Sequence, residues 1–219
     1  MMVESAPRVI IFDCDGVLFA SEAANLAFYN HIFEFFGLPV VEADDEVQLA
    51  ILHTYSSHQV FEYFFGQGQR YQEVLVYART VDYRQFVPLM EPQPGLYEVL
   101  GRLAERYRLG IATNRTGTME LVSQYFQLQP YFQHMVTAGD VPRPKPHPDM
   151  LHRALELFQI EPQAALYIGD SELDYRASQA AGIPFIGFGY QSADSPAVDS
   201  LDRLEDMLTA GFVFSSFCK

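Results

Sequence analysis

Two carboxylates one residue apart, in Asp13-Cys14-Asp15-Gly16-Val17, close the apolar run Arg8 to Phe12. The two-residue period of a strand turns Asp13 and Asp15 to one side and Cys14 to the other. Carboxylates at a buried strand end are costly unless a cation or hydrogen bonds hold them, so the pair suits metal binding or acid–base work. A plain turn, in which Asp is favoured for its side-chain hydrogen bonds, is the alternative. Gly16 lets the backbone turn sharply and bring amide groups close to a ligand. A second acidic group follows the apolar run Ala165 to Gly169, as Asp170-Ser171-Glu172-Leu173-Asp174. Capping of a helix start explains Ser171 and Asp174; it leaves Asp170 unexplained. Thr113-Asn114 ends a third run, Leu109 to Thr113, and its hydroxyl could bind a phosphoryl oxygen or simply begin a loop.

Lys145 is the remaining candidate. It lies in Pro142-Arg143-Pro144-Lys145-Pro146-His147-Pro148, a loop stiffened by its prolines. Of the 14 basic residues only Lys145 and Lys219 are lysine. An internal lysine in an arginine-using chain suggests a need for a compact ammonium where a planar guanidinium will not serve.

The elements that must position these groups are short strands at 8–12, 109–113, 135–138, 165–169 and 184–188. Helical patterns lie between and after them, at 95–106, 116–126, 147–158, 172–181 and 197–209. This alternation predicts an α/β domain with a largely parallel sheet, whose strand ends are where ligands bind in open folds of this class. The interval 20–88 breaks the alternation: it has no convincing strand, and its apolar residues fall at helical spacing. It reads as a helical cap, 20–88, inserted in a Rossmann-like core made of 1–19 and 89–219. The cap is rich in aromatics, among them Phe28, Tyr29, Phe33, Phe35, Phe36, Phe61, Tyr63, Phe64 and Phe65, which at helical spacing mostly suit a core.

The chain has 219 residues and a net charge of −14. Such a field opposes nucleic acid and anionic lipid as partners, so an anionic substrate must be met locally, by a metal or a few placed cations. Neither a secretory signal nor an apolar stretch of about 18 residues is found, and two cysteines build no disulfide framework, which makes a cytoplasmic protein the expectation. Three carboxylates with oxygen-only chemistry select a hard cation such as Mg²⁺. The six histidines have no zinc-site spacing.

The four motifs in this order, DCDGV, the Thr of IATN, the Lys of RPKP and GDSELD, resemble the haloacid dehalogenase superfamily. They are most like the branch that holds phosphoglycolate phosphatase and β-phosphoglucomutase. The resemblance implies an aspartyl-phosphate mechanism with Asp13 as nucleophile and Asp15 as general acid and base. It implies Mg²⁺ on Asp13, the Asp15 main-chain carbonyl and Asp170, with Asp174 nearby through water or orienting Lys145. Thr113, Asn114, Lys145 and the amides after Asp15, Gly16 among them, would bind the phosphoryl group. The second acid, Asp15, favours phosphoester chemistry over dehalogenation. Asn25, standing where the mutases of this branch have a histidine, favours hydrolysis over a sugar phosphomutase. Ala20 stands at the cap hinge where related sequences have Asp. The expected substrate is a small phosphorylated metabolite, and the expected assembly a monomer or homodimer. Arg70, Arg79 and Arg84, the cap's basic residues, are candidates for a second anionic group on it. A non-catalytic binding protein is the rival reading, which the intact acidic set disfavours.

Overall fold

The computed structural model describes residues 7–210. At its centre is β1 (Val9–Phe12), apolar at every position and fully buried on both faces, as a central parallel strand must be. It pairs in parallel with β4 (Arg108–Thr113) on one side and β6 (Ala165–Gly169) on the other. The sheet continues through β5 (Phe132–Thr137), β7 (Phe185–Phe188) and β8 (Ala197–Val198), in the order β5-β4-β1-β6-β7-β8, with every pairing parallel.

Helices cover both faces. Ile10 and Phe12 pack toward α5 (Leu96–Ala104), α6 (Thr118–Tyr125) and α9 (Leu201–Thr209). Val9 and Ile11 pack toward α7 (Asp149–Phe158) and α8 (Glu172–Ala181). From β1 the chain builds outward to β4 and β5, then crosses back to lay β6 on the far side of β1. That reversal sits between β4 and β6, so the carboxyl ends of β1, β4 and β6 open onto one crevice.

Between β1 and β4 the chain makes an excursion of four helices: α1 (Glu22–Phe35), α2 (Glu46–Thr54), α3 (Ser57–Phe65) and α4 (Gln69–Ala78). Asp45 caps α2, and Ser56 forms a capping box with Gln59 at α3, each satisfying amides that a helix start leaves unpaired. Phe28, Tyr29, Phe33 and Phe61 are buried together, as core-like aromatics should be, whereas Phe35 and Tyr63 are exposed. Phe28 also meets Tyr83 and Phe86 edge-on at 5.2 and 5.6 Å, tying α1 to the segment that returns to the sheet.

Two features differ from the sequence expectation. The outgoing and returning strands at the base of the helical excursion, β2 (Phe19–Ala20) and β3 (Glu91–Pro92), pair with each other antiparallel, with Phe19 opposite Pro92 and Ala20 opposite Glu91. Such two-residue strands carry no periodicity to read. The helix expected over 197–209 begins only at Leu201. Ala197–Val198 instead extends the sheet edge, with Gly187 donating to Pro196 and Gly189 to Val198, and Ser200 caps the helix. The C-terminal run 211–219, apolar and unassigned from the sequence, lies outside the described residues, as do Cys218 and Lys219.

Candidate active site

Three strand ends and the excursion converge on a pocket of about 40 Å³ lined by Asp13, Asp15, Gly16, Ser21, Glu22, His53, Thr54, Thr113, Asn114, Asp170 and Ser171. The turn after β1 is drawn tight by backbone hydrogen bonds from Leu18 and Phe19 to the Cys14 carbonyl and from Gly16 to Phe19. Gly16 has φ +76°, and a Cβ there would overlap the Asp170 carboxylate. Glycine is therefore required twice over, by the left-handed backbone and by the close approach of an acidic side chain. Since the Gly16 N–H is taken up by Phe19, its contribution in this arrangement is conformational.

Asp13 is buried, and its Oδ1 accepts from the Cys14 amide at 2.7 Å and lies 3.0 Å from Lys145 Nζ. Its Oδ2 accepts from no described residue. Cys14 turns away into the apolar core, where burial holds its thiol well above the ordinary range, the setting of an inert cysteine. Lys145 is wrapped by acceptors: Asp174 Oδ1 at 2.6 Å, the Tyr167 hydroxyl at 3.1 Å and the Ala112 carbonyl at 3.5 Å, in addition to Asp13. Burial alone would lower this ammonium, but Asp13 and Asp174 outweigh it and hold it above its usual value.

Asp174 serves both of the roles its sequence position allowed. Its Oδ2 accepts from the Ser171 amide and hydroxyl to complete the capping box of α8, while Oδ1 takes Lys145 and Tyr167. With its oxygens so occupied, and despite burial, the Lys145 charge holds it below the ordinary carboxylate range. Asp170 is the contrast. It accepts no hydrogen bond from a described residue, and burial, then the Asp174 and Asp13 charges, push its carboxyl well upward. Burial likewise pushes Asp13 up to about 7, with Lys145 opposing and Asp174 and Asp15 adding to the rise.

Carboxylate oxygens of Asp13, Asp170 and Asp174 lie within 4.8 Å of one another. Asp170, partly exposed at the pocket and without a hydrogen-bond donor among the described residues, stands beside the buried Asp13, whose Oδ2 is free, and this oxygen-only ligand set fits a hard cation.

Thr113 is buried at the end of β4, where its Oγ1 accepts from the Arg115 amide at 3.2 Å, leaving its proton available to the pocket. The Asn114 side chain is spent on architecture. Its Oδ1 accepts from the Lys145 amide at 3.0 Å, and its Nδ2 donates to the Thr54 carbonyl at 3.1 Å, so one amide joins the lysine loop to α2.

Three participants went unnoticed in the sequence. Arg115, buried, clasps Asp15 with Nε on Oδ2 at 2.7 Å and Nη2 on Oδ1 at 2.6 Å. Its Nη1 donates to the Tyr83 hydroxyl at 2.9 Å, and Nη2 lies 3.4 Å from Asn25 Oδ1. The readable signal was a basic residue directly after Thr113-Asn114 at the same strand end. Tyr167, within an apolar strand, has a hydroxyl that must find a partner when buried, and that partner is the Lys145–Asp174 pair. His53, at the last turn of α2, reaches the pocket with a buried Nδ1 that meets no hydrogen-bond partner among the described residues; burial lowers its ring below the ordinary value. The arginines of the stretch between β2 and β3 are dispersed: Arg84 pairs with Asp82 in solvent, Arg70 donates to the Phe36 carbonyl, and Arg79 borders the larger cleft.

Residues 10–188 match the family model for haloacid dehalogenase-like hydrolases. The chain belongs to the haloacid dehalogenase-like hydrolase family. A haloacid dehalogenase superfamily hydrolase of subfamily IA from Geobacter sulfurreducens is 40% identical and superposes with a TM-score of 0.73 over 94% of this chain and 100% of that one. The pyrophosphatase PpaX of Bacillus mycoides is 26% identical over 92% of this chain and 95% of its own length. CbbY from Rhodobacter sphaeroides, solved in complex with phosphate, shares the haloacid dehalogenase-like fold at 21% identity, with a TM-score of 0.77 over 90% and 96% of the two chains. The chain is thus an enzyme of a hydrolase family, and the phosphoester hydrolase expected from its motifs agrees with these relatives. No helix among its described residues is long and apolar enough to cross a membrane.

Proposed function

We propose that this protein is a Mg²⁺-dependent phosphatase that hydrolyses a small phosphorylated metabolite through an aspartyl-phosphate at Asp13. The observation that carries this reading is the single small pocket shared by Asp13, Asp15, Thr113 and Asp170, with Lys145 3.0 Å from the Asp13 carboxylate. Phosphoryl transfer asks chiefly for positioning and charge stabilisation, and a rigid strand-end site supplies both.

The Asp13 Oδ2, free of protein donors, attacks phosphorus as the bond to the leaving oxygen breaks. Asp15 gives that oxygen its proton; as carboxylate it then takes a proton from water, whose oxygen attacks the same phosphorus and returns Asp13 to its starting state. Lys145 neutralises charge on both the nucleophile and the phosphoryl oxygens, while Asp174 and Tyr167 hold its ammonium in place. The Thr113 hydroxyl donates to a phosphoryl oxygen. Asp13, the Asp15 main-chain carbonyl and Asp170 would hold the divalent cation, which supplies charge neutralisation at the phosphate. The adjoining cleft of about 860 Å³, bordered by α3, α4 and the loops after β4 and β5, offers room for the leaving group. Residues 20–88 form the cap that closes over it, and the setting inferred from the sequence is the cytoplasm.

Asp13→Asn is expected to lower turnover of a simple aryl phosphate by about four orders of magnitude while the fold is kept. Unchanged Mg²⁺-dependent release of phosphate by that variant overturns the mechanism.

A further inference from the structure

Among the described residues the two buried cations are Lys145 and Arg115. Lys145 is spent on Asp13 and Asp174. Arg115 is spent on Asp15, and in a way that bears on the reaction: both Asp15 oxygens accept from its guanidinium at 2.6 and 2.7 Å, so the cation competes with a leaving oxygen for the acid. The guanidinium is held from behind by the Tyr83 hydroxyl and by the Tyr83 ring, 5.5 Å from its carbon, and Asn25 adds a further contact. The grip on Asp15 therefore belongs jointly to β4 and to the helical excursion. Around it runs a small pocket lined by residues that include Asp15, Asn25, His53, Tyr83, Asn114 and Arg115. This pocket shares Asp15, His53 and Asn114 with the phosphoryl site, and Tyr83 and Thr118 with the larger cleft. A leaving group passing from one to the other meets the guanidinium.

We propose that Arg115 is the subsite for a second anionic group on the substrate, a carboxylate or phosphate close to the scissile oxygen, and that this group takes the guanidinium from Asp15 and so frees the acid to act. The exchange is one planar anion for another on a fork that binds either through two parallel hydrogen bonds. A neutral leaving group offers nothing in return for breaking the pair, which would leave the buried guanidinium of Arg115 uncompensated. Selectivity for dianionic substrates then arises at the acid itself. This inference rests on the phosphatase reading for its catalytic half and on geometry alone for its binding half.

The test uses isosteric pairs. The wild-type enzyme is expected to hydrolyse phosphoglycolate about 30-fold more efficiently, in kcat/KM, than the amide of the same compound, the ratio that one charge-assisted contact supplies. In Arg115→Gln that preference falls below about 3-fold, and Arg115→Lys restores part of it. Calorimetry with two inert analogues, phosphonoacetate and phosphonoacetamide, reads the same preference without turnover. A wild-type preference below about 3-fold in both assays overturns the proposal whether or not the variant folds, as does an unchanged preference in Arg115→Gln. Hydrolysis of neither ester, with the analogue preference intact and dependent on Arg115, overturns the phosphatase reading and leaves the anion subsite standing.

Discussion

Lys145 and Arg115 are both buried cations, each paired with a carboxylate of the same strand-end motif, yet the two sides of the site are built differently. Lys145 draws all its partners from the sheet and its connections: Asp13 after β1, Asp174 on α8, Tyr167 on β6 and Ala112 on β4. Those elements are locked by parallel ladders and two apolar layers, so the ammonium has one arrangement. Arg115 instead reaches across to Asn25 and Tyr83, in the excursion between β2 and β3, whose base is a ladder of two residues on each strand. The Lys145 side is built to stay, and the Arg115 side is built so that a partner can be exchanged.

The largest effect that follows is on stability. Lys145→Met leaves Asp13 and Asp174 buried without their cation and is expected to cost about 3–5 kcal/mol in urea unfolding, with activity lost. Arg115→Gln is expected to cost less, about 1–3 kcal/mol, because Asp15 borders the pocket and regains water. Equal losses in the two variants would break the contrast, since they would mean that Asp15 is as confined as Asp13.

The smallest effect concerns the cation and pH. Folding raises the Asp13 carboxyl to about 7, so between its ordinary value near 4 and that point the folded state binds more protons than the unfolded one. The Asp13 contribution to the stability of the cation-free protein therefore declines as pH rises through that window. On the proposed ligand set, protons would compete with the cation for Asp13 and Asp170. Mg²⁺ at about ten times its dissociation constant should add about 1.4 kcal/mol at pH 8 and much less at pH 5, followed by thermal unfolding. The gain should survive Arg115→Gln and vanish in Asp170→Asn, which places the cation on the Lys145 side.

Much of this site was legible in the chain. Asp13, Asp15 and Asp170 follow apolar strands and Thr113 ends one, and parallel strands bring their carboxyl ends to one edge, so order along the sequence was enough to gather them. Lys145 stood out because lysine is scarce. Arg115 did not, because it is one of twelve arginines and its carboxylate partner lies 100 residues away. Tyr167 was hidden by the apolar run that it completes. Asn114, expected from the resemblance to bind phosphate, lines the pocket, and its side chain joins the lysine loop to α2. An amide has donors and acceptors for either task, and only its neighbours decide which.

The sequence by itself determined the parallel α/β core, the helical insertion and the acidic edge around one lysine, because periodicity and strand-end position are local properties. Only the tertiary structure decided how the charges pair: which cation holds which carboxylate, which acid is left without a donor, and that the second acid rests against an arginine gripped from the cap side. Pairing depends on distances of a few ångströms between residues far apart in the chain, and buried charges interact too strongly with their nearest neighbours for composition or order to foretell the outcome.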